Sequence, residues 1–319
     1  RGSLGRLERL AVRLAAIRAE SPPATLRPVV LVAAGDHGVV AEGVSAYPQE
    51  VTRQMLATFA AGDAAVCVLA RLAGAELVVA DAGVVEPLGH PSIRDLRLGS
   101  GTANAAEGPA MTRGHAAESI LRGAALAREL VEDGATLLAL GEMGIGNTTA
   151  AAALVAVLLD RDPAEVCGPG TGLDAAGVAH KAAVVRRMLH ANEPRAADPL
   201  GALAAVGGFE LGVLAGAVLA GAGARAVLLL DGFISGAAAL LAVRLAPAAR
   251  GYLVAAHRSS EPGHHAVLEA LGLEPLLDLD LRLGEGSGAA LALPLVAAAR
   301  SVLAEMATFD AAGVTDTGR

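Results

Sequence analysis

Pro28-Val29-Val30-Leu31-Val32-Ala33-Ala34 is an uninterrupted apolar run of strand length, and it stops abruptly at Gly35-Asp36-His37-Gly38. A strand wetted on one face alternates apolar and polar side chains, whereas one apolar at every position is covered on both faces, as inside a parallel sheet between two helix layers. Four further runs share this character: Glu76 to Ala80, Ala135 to Leu140, Ala226 to Leu230 and Gly251 to Ala256. Helix-length segments rich in Ala, Leu and Val separate them, at Pro48 to Ala60, His115 to Asp133, Thr148 to Leu159 and Asp174 to Ala191. The alternation predicts an α/β fold built on an open, mainly parallel, Rossmann-like sheet with helices on both faces. Leu4, Leu7, Leu10, Leu14 and Ile17 follow helical spacing up to Ser21-Pro22-Pro23, giving one amphipathic helix. With the last Ala/Leu helices it is expected to form a small helical subdomain, residues 1–23 and 301–319, beside a main α/β domain of residues 24–300. The Gly-, Pro- and Ser-rich stretch from Val85 to Gly114 reads as a long loop near the site.

The residues that follow the strands share a chemistry. The first strand runs into Gly35, Asp36, His37 and Gly38, the second into Asp81 and Gly83, and the third into Gly141, Glu142, Met143 and Gly144. The fourth runs into Asp231 and Gly232, the fifth into His257, Arg258, Ser259 and Ser260. At any one strand, glycines and acids serve turns and helix caps; at five strands together they point to a site, because open parallel sheets bind ligands outside the carboxyl ends of their strands.

Composition excludes several classes of function. With 54% hydrophobic and 18% charged residues over 319 positions the chain buries a large core and is not intrinsically disordered. Four Phe, two Tyr and no Trp leave few platforms for stacking bases, and a formal charge of −8 opposes a phosphate backbone, so nucleic acid is not an expected partner. No apolar stretch reads as a membrane span: the uncharged run from Met143 to Leu159 opens with turn and cap residues, and Leu211 to Ala224 is short and Gly-rich. Arg6, Glu8, Arg9 and Arg13 break the apolar pattern near the start, so no secretory leader is read there and the expected compartment is the cytosol. Cys67 and Cys167 have no partner spacing for a disulfide framework or a zinc site. Of the 25 basic residues, Lys181 is the one lysine. Arg and Lys exchange freely on most surfaces but not at tight phosphate or ribose sites, which marks Lys181 as a candidate.

Three glycine loops carry the chemistry. Gly141-Glu142-Met143-Gly144-Ile145-Gly146-Asn147-Thr148-Thr149 leads from a strand into an Ala-rich helix, where backbone N–H groups can meet an anion and Asn147 or Thr148 can cap the helix. It lacks both the Gly-Lys-Ser/Thr of a P-loop and the spacing of the dinucleotide fingerprint, so a mononucleotide phosphate suits it better. Gly168-Pro169-Gly170-Thr171-Gly172-Leu173-Asp174 opens the helix that holds Lys181, with Asp174 as its cap. In Arg282-Leu283-Gly284-Glu285-Gly286-Ser287-Gly288, which precedes an apolar helix interrupted by Pro294, a glutamate between glycines is free to meet a ligand. Desolvation there would raise its pKa into the range of a general base. Glu305 reads as structural, and His264 and His265, with no third ligand at a recognisable spacing, read as a helix start or an interface rather than a metal site.

Together, Ala34-Gly35-Asp36-His37-Gly38-Val39, Glu42-Gly43-Val44-Ser45-Ala46-Tyr47-Pro48, Val51-Thr52, Gly141 to Thr149, Gly170 to Leu173, Asp231-Gly232-Phe233 and Arg282 to Gly288 resemble the nicotinate-nucleotide:dimethylbenzimidazole phosphoribosyltransferases. The motifs occur in family order and span nearly the whole chain. The resemblance implies transfer of phosphoribose from nicotinate mononucleotide to 5,6-dimethylbenzimidazole, giving α-ribazole 5′-phosphate and nicotinate in the assembly of the cobalamin lower ligand. By motif match it places the catalytic base on Glu285, with Glu142 supporting positive charge or the ribose hydroxyls. Lys181, Gly144, Asn147, Thr148, Gly170, Thr171, Gly172, Asp231, Gly232 and Ser259 are then the phosphate and ribose candidates, and Leu283, Ser45, Gln54 and Met55 the benzimidazole candidates. It further implies a homodimer and no metal or cofactor. Two competing readings stay open: a related transferase with another base or a phenol as acceptor, and a non-catalytic mononucleotide-binding subunit.

Overall fold

The computed structural model describes residues 2–314. Six strands form one sheet: β1 (Pro28–Gly35), β2 (Glu76–Gly83), β3 (Ile93–Asp95), β4 (Leu137–Met143), β5 (Val227–Leu230) and β6 (Leu253–Ala255). Their order is β3-β2-β1-β4-β5-β6, and every neighbouring pair is parallel. The chain therefore works outward from β1 to β3, then returns to the other side of β1 and works outward to β6. The order reverses between β1 and β4, and at such a switch point the connections leave in opposite directions and open a crevice at the carboxyl ends of the strands.

The helices are α1 (Arg6–Arg18), α2 (Val51–Ala61), α3 (Ala65–Leu72), α4 (Arg113–Glu132), α5 (Asn147–Leu159), α6 (Pro163–Val166), α7 (Ala175–Asn192), α8 (Pro199–Val206), α9 (Phe209–Gly223), α10 (Phe233–Leu245), α11 (Pro262–Leu271), α12 (Ser287–Glu305) and α13 (Phe309–Ala312). Strand periodicity sorts the core into two halves. Val29, Leu31 and Ala33 of β1 face one layer with Leu138 and Leu140 of β4 and residues of α4, α5 and α7 to α11. Val30, Val32 and Ala34 face the other, with residues of α1, α2, α3 and α12. Side chains alternate across a strand, so a run apolar at every position fills both layers.

The glycines inside the helices decide how closely the layers pack. A Cβ at Gly123 of α4 would run into the backbone of Val213 on α9, and one at Gly216 of α9 into that of Ile120 on α4. Helix α1 lies against α12, and its Leu10, Leu14 and Ile17 share one apolar cluster with Val30 and Val32. The segments 1–23 and 301–319, read from sequence as a helical subdomain, thus contribute α1, the end of α12 and α13; residues 1 and 315–319 lie outside the described residues.

Three local expectations differ from the structure. The stretch from Val85 to Gly114 contains the edge strand β3, which three part-exposed residues without an apolar run do not announce. Beyond β3 this segment is bonded over the strand ends: Leu96 donates to Asp81, Leu98 to Ala82, Gly101 to Gly83, and Thr102 to Asp36. Pro294 does not interrupt α12, which is continuous from Ser287 to Glu305 with Pro294 on its exposed side. Two stretches, Val51–Leu72 and Ser287–Glu305, do have the length and hydropathy to cross a membrane. Their Leu56, Phe59, Val66, Leu293 and Val296 are buried in the cluster beneath the sheet. Cys67 and Cys167 are both buried free thiols.

Candidate active site

At the switch point the tips of β1 and β4 touch: a Cβ at Gly144 would run into the carbonyl of Gly35. Glu142, the penultimate residue of β4, is 6% exposed and accepts a hydrogen bond from the Asn147 side chain. The capping position of α5 is Gly146, which has no side chain to cap with; Asn147 and Thr148, expected as caps, lie inside the first turn, with Asn147 bonded to Glu142 and Thr148 to Lys181.

The loop before α12 lies directly on β4. A Cβ at Gly141 would occupy the backbone of Gly286, so only glycine lets the loop settle there. Gly284, Glu285 and Gly286 are successive left-handed residues, with φ of 80°, 64° and 83°. For Glu285 that conformation costs on the order of 1 kcal/mol and requires the surroundings to hold it. Asp231, just past β5, supplies part of the hold: its carboxylate accepts the N–H of Ala289 at 2.8 Å and of Gly286 at 3.2 Å. These are orphan N–H groups at the start of α12, where Gly286 offers no side chain, so Asp231 caps the helix from a different strand. His257 stands behind, with Nε2 3.6 Å from Asp231 Oδ1, and its ring fills the space a Cβ on Gly288 would need.

Glu142 and Glu285 are thereby brought to one place, the Glu142 carboxylate lying against Gly284. Burial first, then the charges of Asp231, Glu210 and Glu285, push Glu142 up to about 8, against the opposing hydrogen bond from Asn147. Burial and then Asp231 push Glu285 up to about 7. Asp231 is itself raised by burial, an effect opposed by His257 and by the backbone N–H groups it accepts. Two of these acids thus exchange protons near neutral pH, a range suited to general-base chemistry.

Lys181 is fully buried in α7. Its Nζ donates to Thr148 Oγ1 at 2.8 Å and to the carbonyl of Gly168 at 3.2 Å, tying the second glycine loop to the start of α5. Burial holds its pKa below the ordinary lysine value, with Glu261 pulling the other way. Asp174 caps α7 by accepting the N–H of Gly177. The rest of this loop is bonded differently from the expectation of free phosphate donors. Gly170 donates its N–H to Glu261 Oε1 at 2.8 Å, and Gly172 donates to the carbonyl of Pro169. Thr171 Oγ1 lies 3.1 Å from Ser45 Oγ and accepts the N–H of Ala46. Ser259 Oγ accepts the N–H of Glu261, while its own N–H donates to His264 Nδ1. His264, pushed down to about 3 by burial first and then by His257 and Arg258, is a neutral acceptor that starts α11. Gly232 precedes α10, whose first turn opens on the same end of the sheet.

The acceptor-base candidates are more scattered. Ser45 is joined to Thr171, Leu283 is exposed beside the Glu285 loop, Gln54 is on the exposed side of α2, and Met55 is half-buried against the cluster beneath the sheet. Glu305, read as structural, ends α12 in an exposed ion pair with Arg300. Sequence reading assigned no part to Glu210 or Glu261, both fully or nearly buried. The signal for Glu210 is a carboxylate opening the apolar run that forms α9; Glu261, before Pro262, looks like an ordinary helix start.

A family described as "Phosphoribosyltransferase" matches residues 1–314. The nicotinate-nucleotide–dimethylbenzimidazole phosphoribosyltransferase of Azotobacter vinelandii (strain DJ) is 54% identical over 321 residues, covering 100% of this chain and 91% of that protein. The enzyme of the same name from Chloroflexus aggregans is 52% identical over 316 residues, covering 99% and 90%. The crystal structure of CobT from Thermus thermophilus superposes with a TM-score of 0.94 at 52% identity, covering 98% of this chain and 94% of that one. With a parallel sheet in order β3-β2-β1-β4-β5-β6, paired glutamates at its switch point and full-length similarity of this degree, the chain belongs to the nicotinate-nucleotide–dimethylbenzimidazole phosphoribosyltransferase family.

Proposed function

We propose that the protein transfers the 5-phosphoribosyl group of nicotinate mononucleotide to N-1 of 5,6-dimethylbenzimidazole, releasing nicotinate and forming α-ribazole 5′-phosphate. The observation that carries this reading is Glu285, a glutamate held in left-handed backbone against Glu142 with its pKa raised to about 7. The acceptor brings an N–H that must be lost, and a carboxylate poised near neutrality can take that proton. The leaving nicotinate departs from a ring that already carries positive charge, so the bond breaks without a strong acid. Attack from the face opposite nicotinate turns the β-nucleotide into an α-product. Positive charge then grows on the ribose, and the oxygen lone pairs of Glu142 stabilise it, as a dipole while the group is protonated and as a full charge once it ionises above about pH 8.

In this reading the 5′-phosphate lies between the starts of α5 and α10, beside Lys181. Gly144, Asn147, Thr148, Thr171 and Ser259 shape its surroundings, and Gly170 and Gly232, with Gly172 once it releases the Pro169 carbonyl, supply backbone N–H groups. Phosphate would replace Glu261 at the N–H of Gly170. Ser45, Gln54, Met55 and Leu283 are the proposed contacts of the benzimidazole. A homodimer in the cytosol is part of the same reading, supported by the family resemblance; sedimentation would test the dimer.

The test is incubation with nicotinate mononucleotide and a panel of bases, with products separated and identified. Expected is equimolar nicotinate and α-ribazole 5′-phosphate. Turnover only with a different base would redirect the acceptor, and binding of the nucleotide without nicotinate release would overturn the enzyme reading.

A further inference from the structure

A second buried acid–base pair lies behind the crevice, formed by two residues the transfer reaction itself does not use. His37, two residues past β1, and Glu210, in the first turn of α9, are 1% and 0% exposed, with Nε2 3.0 Å from Oε1. The backbone is shaped around them. A Cβ at Gly35 would lie 2.8 Å from Glu210 Oε2, and one at Gly208 would run into both the Glu210 carboxylate and the His37 ring. Two glycines on separate elements thus leave room for a pair that burial alone would disfavour. Neither ring nitrogen of His37 and neither carboxylate oxygen of Glu210 makes a hydrogen bond among the described residues, so the 3.0 Å contact between Nε2 and Oε1 is an ion-pair approach in which each side chain has the other as its principal electrostatic partner.

Several features of the surroundings favour charge on the pair. The amino end of α9 favours an anion at Glu210. Asp36 adds negative charge on the other side of His37. Burial alone would push the imidazole down, but the nearby Glu210 and Asp36 carboxylates outweigh it and hold His37 above the ordinary histidine value. The acids ahead of the pair are Glu142 at the end of β4, Asp231 past β5 and Glu285 before α12. Glu142 feels Asp231, Glu210 and Glu285 together with the Asn147 amide of α5, and Glu285 faces Asp231 and the Cys67 thiol of α3.

We propose that His37 and Glu210 are a charged positioning pair that sets the electrostatic level of the crevice, His37 cancelling Glu210 so that Glu210 adds no net negative charge to the acids at the reacting centre. Without His37, Glu210 would add a further negative charge beside Glu142, which would hold its proton to higher pH. The inference rests on the phosphoribosyl-transfer reading for its kinetic consequence, but not for the charge state of the pair.

Two measurements test it. In the unmodified protein labelled with 15N-histidine, the His37 imidazole, identified by its contacts with Gly208, is expected to show both nitrogens protonated from pH 6 to pH 8. A neutral His37 at pH 7 would overturn the proposal. The second is the pH dependence of kcat/KM for nicotinate mononucleotide in H37Q, E210Q and the double variant H37Q/E210Q. H37Q should move the acidic limb upward by on the order of one pH unit, the effect of one uncompensated charge in a buried site. E210Q should not move it upward, and the double variant should return it to the wild-type position. A merely structural role predicts instead that the double variant is at least as impaired as either single variant, with unshifted limbs, and that result would refute the proposal. Absence of turnover in the wild type would refute the transfer reading while leaving the histidine titration to decide the charge of the pair.

Discussion

Glu285→Gln separates catalysis from stability and should move them in opposite directions. Glutamine keeps the size of the side chain and the left-handed backbone but mimics the protonated acid at every pH. An unfolded glutamate titrates near 4.5, whereas in the fold burial and Asp231 push Glu285 up to about 7. The fold thus prefers the neutral form; the stability it provides is complete below pH 4.5 and is lost as pH rises through about 7. A gap of ~2.5 pH units corresponds to ~3 kcal/mol, which screening at the crevice mouth reduces to about 2 kcal/mol. Glu285→Gln should therefore be more stable than wild type by about 2 kcal/mol at pH 8.5 and indistinguishable from it near pH 4.5. Urea denaturation at the two pH values measures this directly. Turnover should fall by ~10^2 or more with nucleotide binding largely kept, because removing a general base affects the transition state most. Equal stability at pH 8.5 would show that the ionised carboxylate is not strained by its surroundings. Unchanged turnover would show that another group takes the proton.

Wild-type kcat/KM should rise as pH passes through about 7, following ionisation of Glu285, in a pH-rate profile with dimethylbenzimidazole as acceptor. Asp231→Asn turns one acceptor of the α12 N–H groups into a donor, which should cost ~2 kcal/mol and raise amide exchange at 286–289; unaltered exchange there would mean the loop is held by other contacts. Lys181→Ala should raise KM for nicotinate mononucleotide more than it lowers kcat, and Lys181→Arg should not rescue it, because a guanidinium cannot fit the fully buried position between Thr148 and Gly168. Gly141→Ala puts a Cβ into the backbone of Gly286 and should displace Glu285, abolishing turnover while the sheet persists by circular dichroism.

Much of the fold is legible in local pattern. Pro28 to Ala34 is apolar at every position because its alternate residues fill two different cores, and the helices between strands announce themselves by length and composition. The strand β3 is not legible, since three part-exposed residues on a sheet edge need no apolar run. At the site, the glycines around Glu285 single it out because loop backbone can take positive φ cheaply only at glycine. Glu142 is marked by its place at a strand end. Glu210 and Glu261 escape notice because each stands where acids commonly start helices, and nothing local tells a buried carboxylate from a solvated one. Lys181 is conspicuous by rarity, but its bonds to Thr148 and Gly168 join segments far apart in the chain.

The layered α/β architecture, the glycine loops and the chemical types at the strand ends are local properties of the chain, since they follow from periodicity and backbone freedom within a few residues. The strand order that reverses between β1 and β4, the capping of α12 by Asp231, the meeting of Glu142 with Glu285 and the pairing of His37 with Glu210 arise only on folding. Each of these joins groups from distant parts of the chain, and their protonation depends on burial and on neighbours that only the packed sheet brings together.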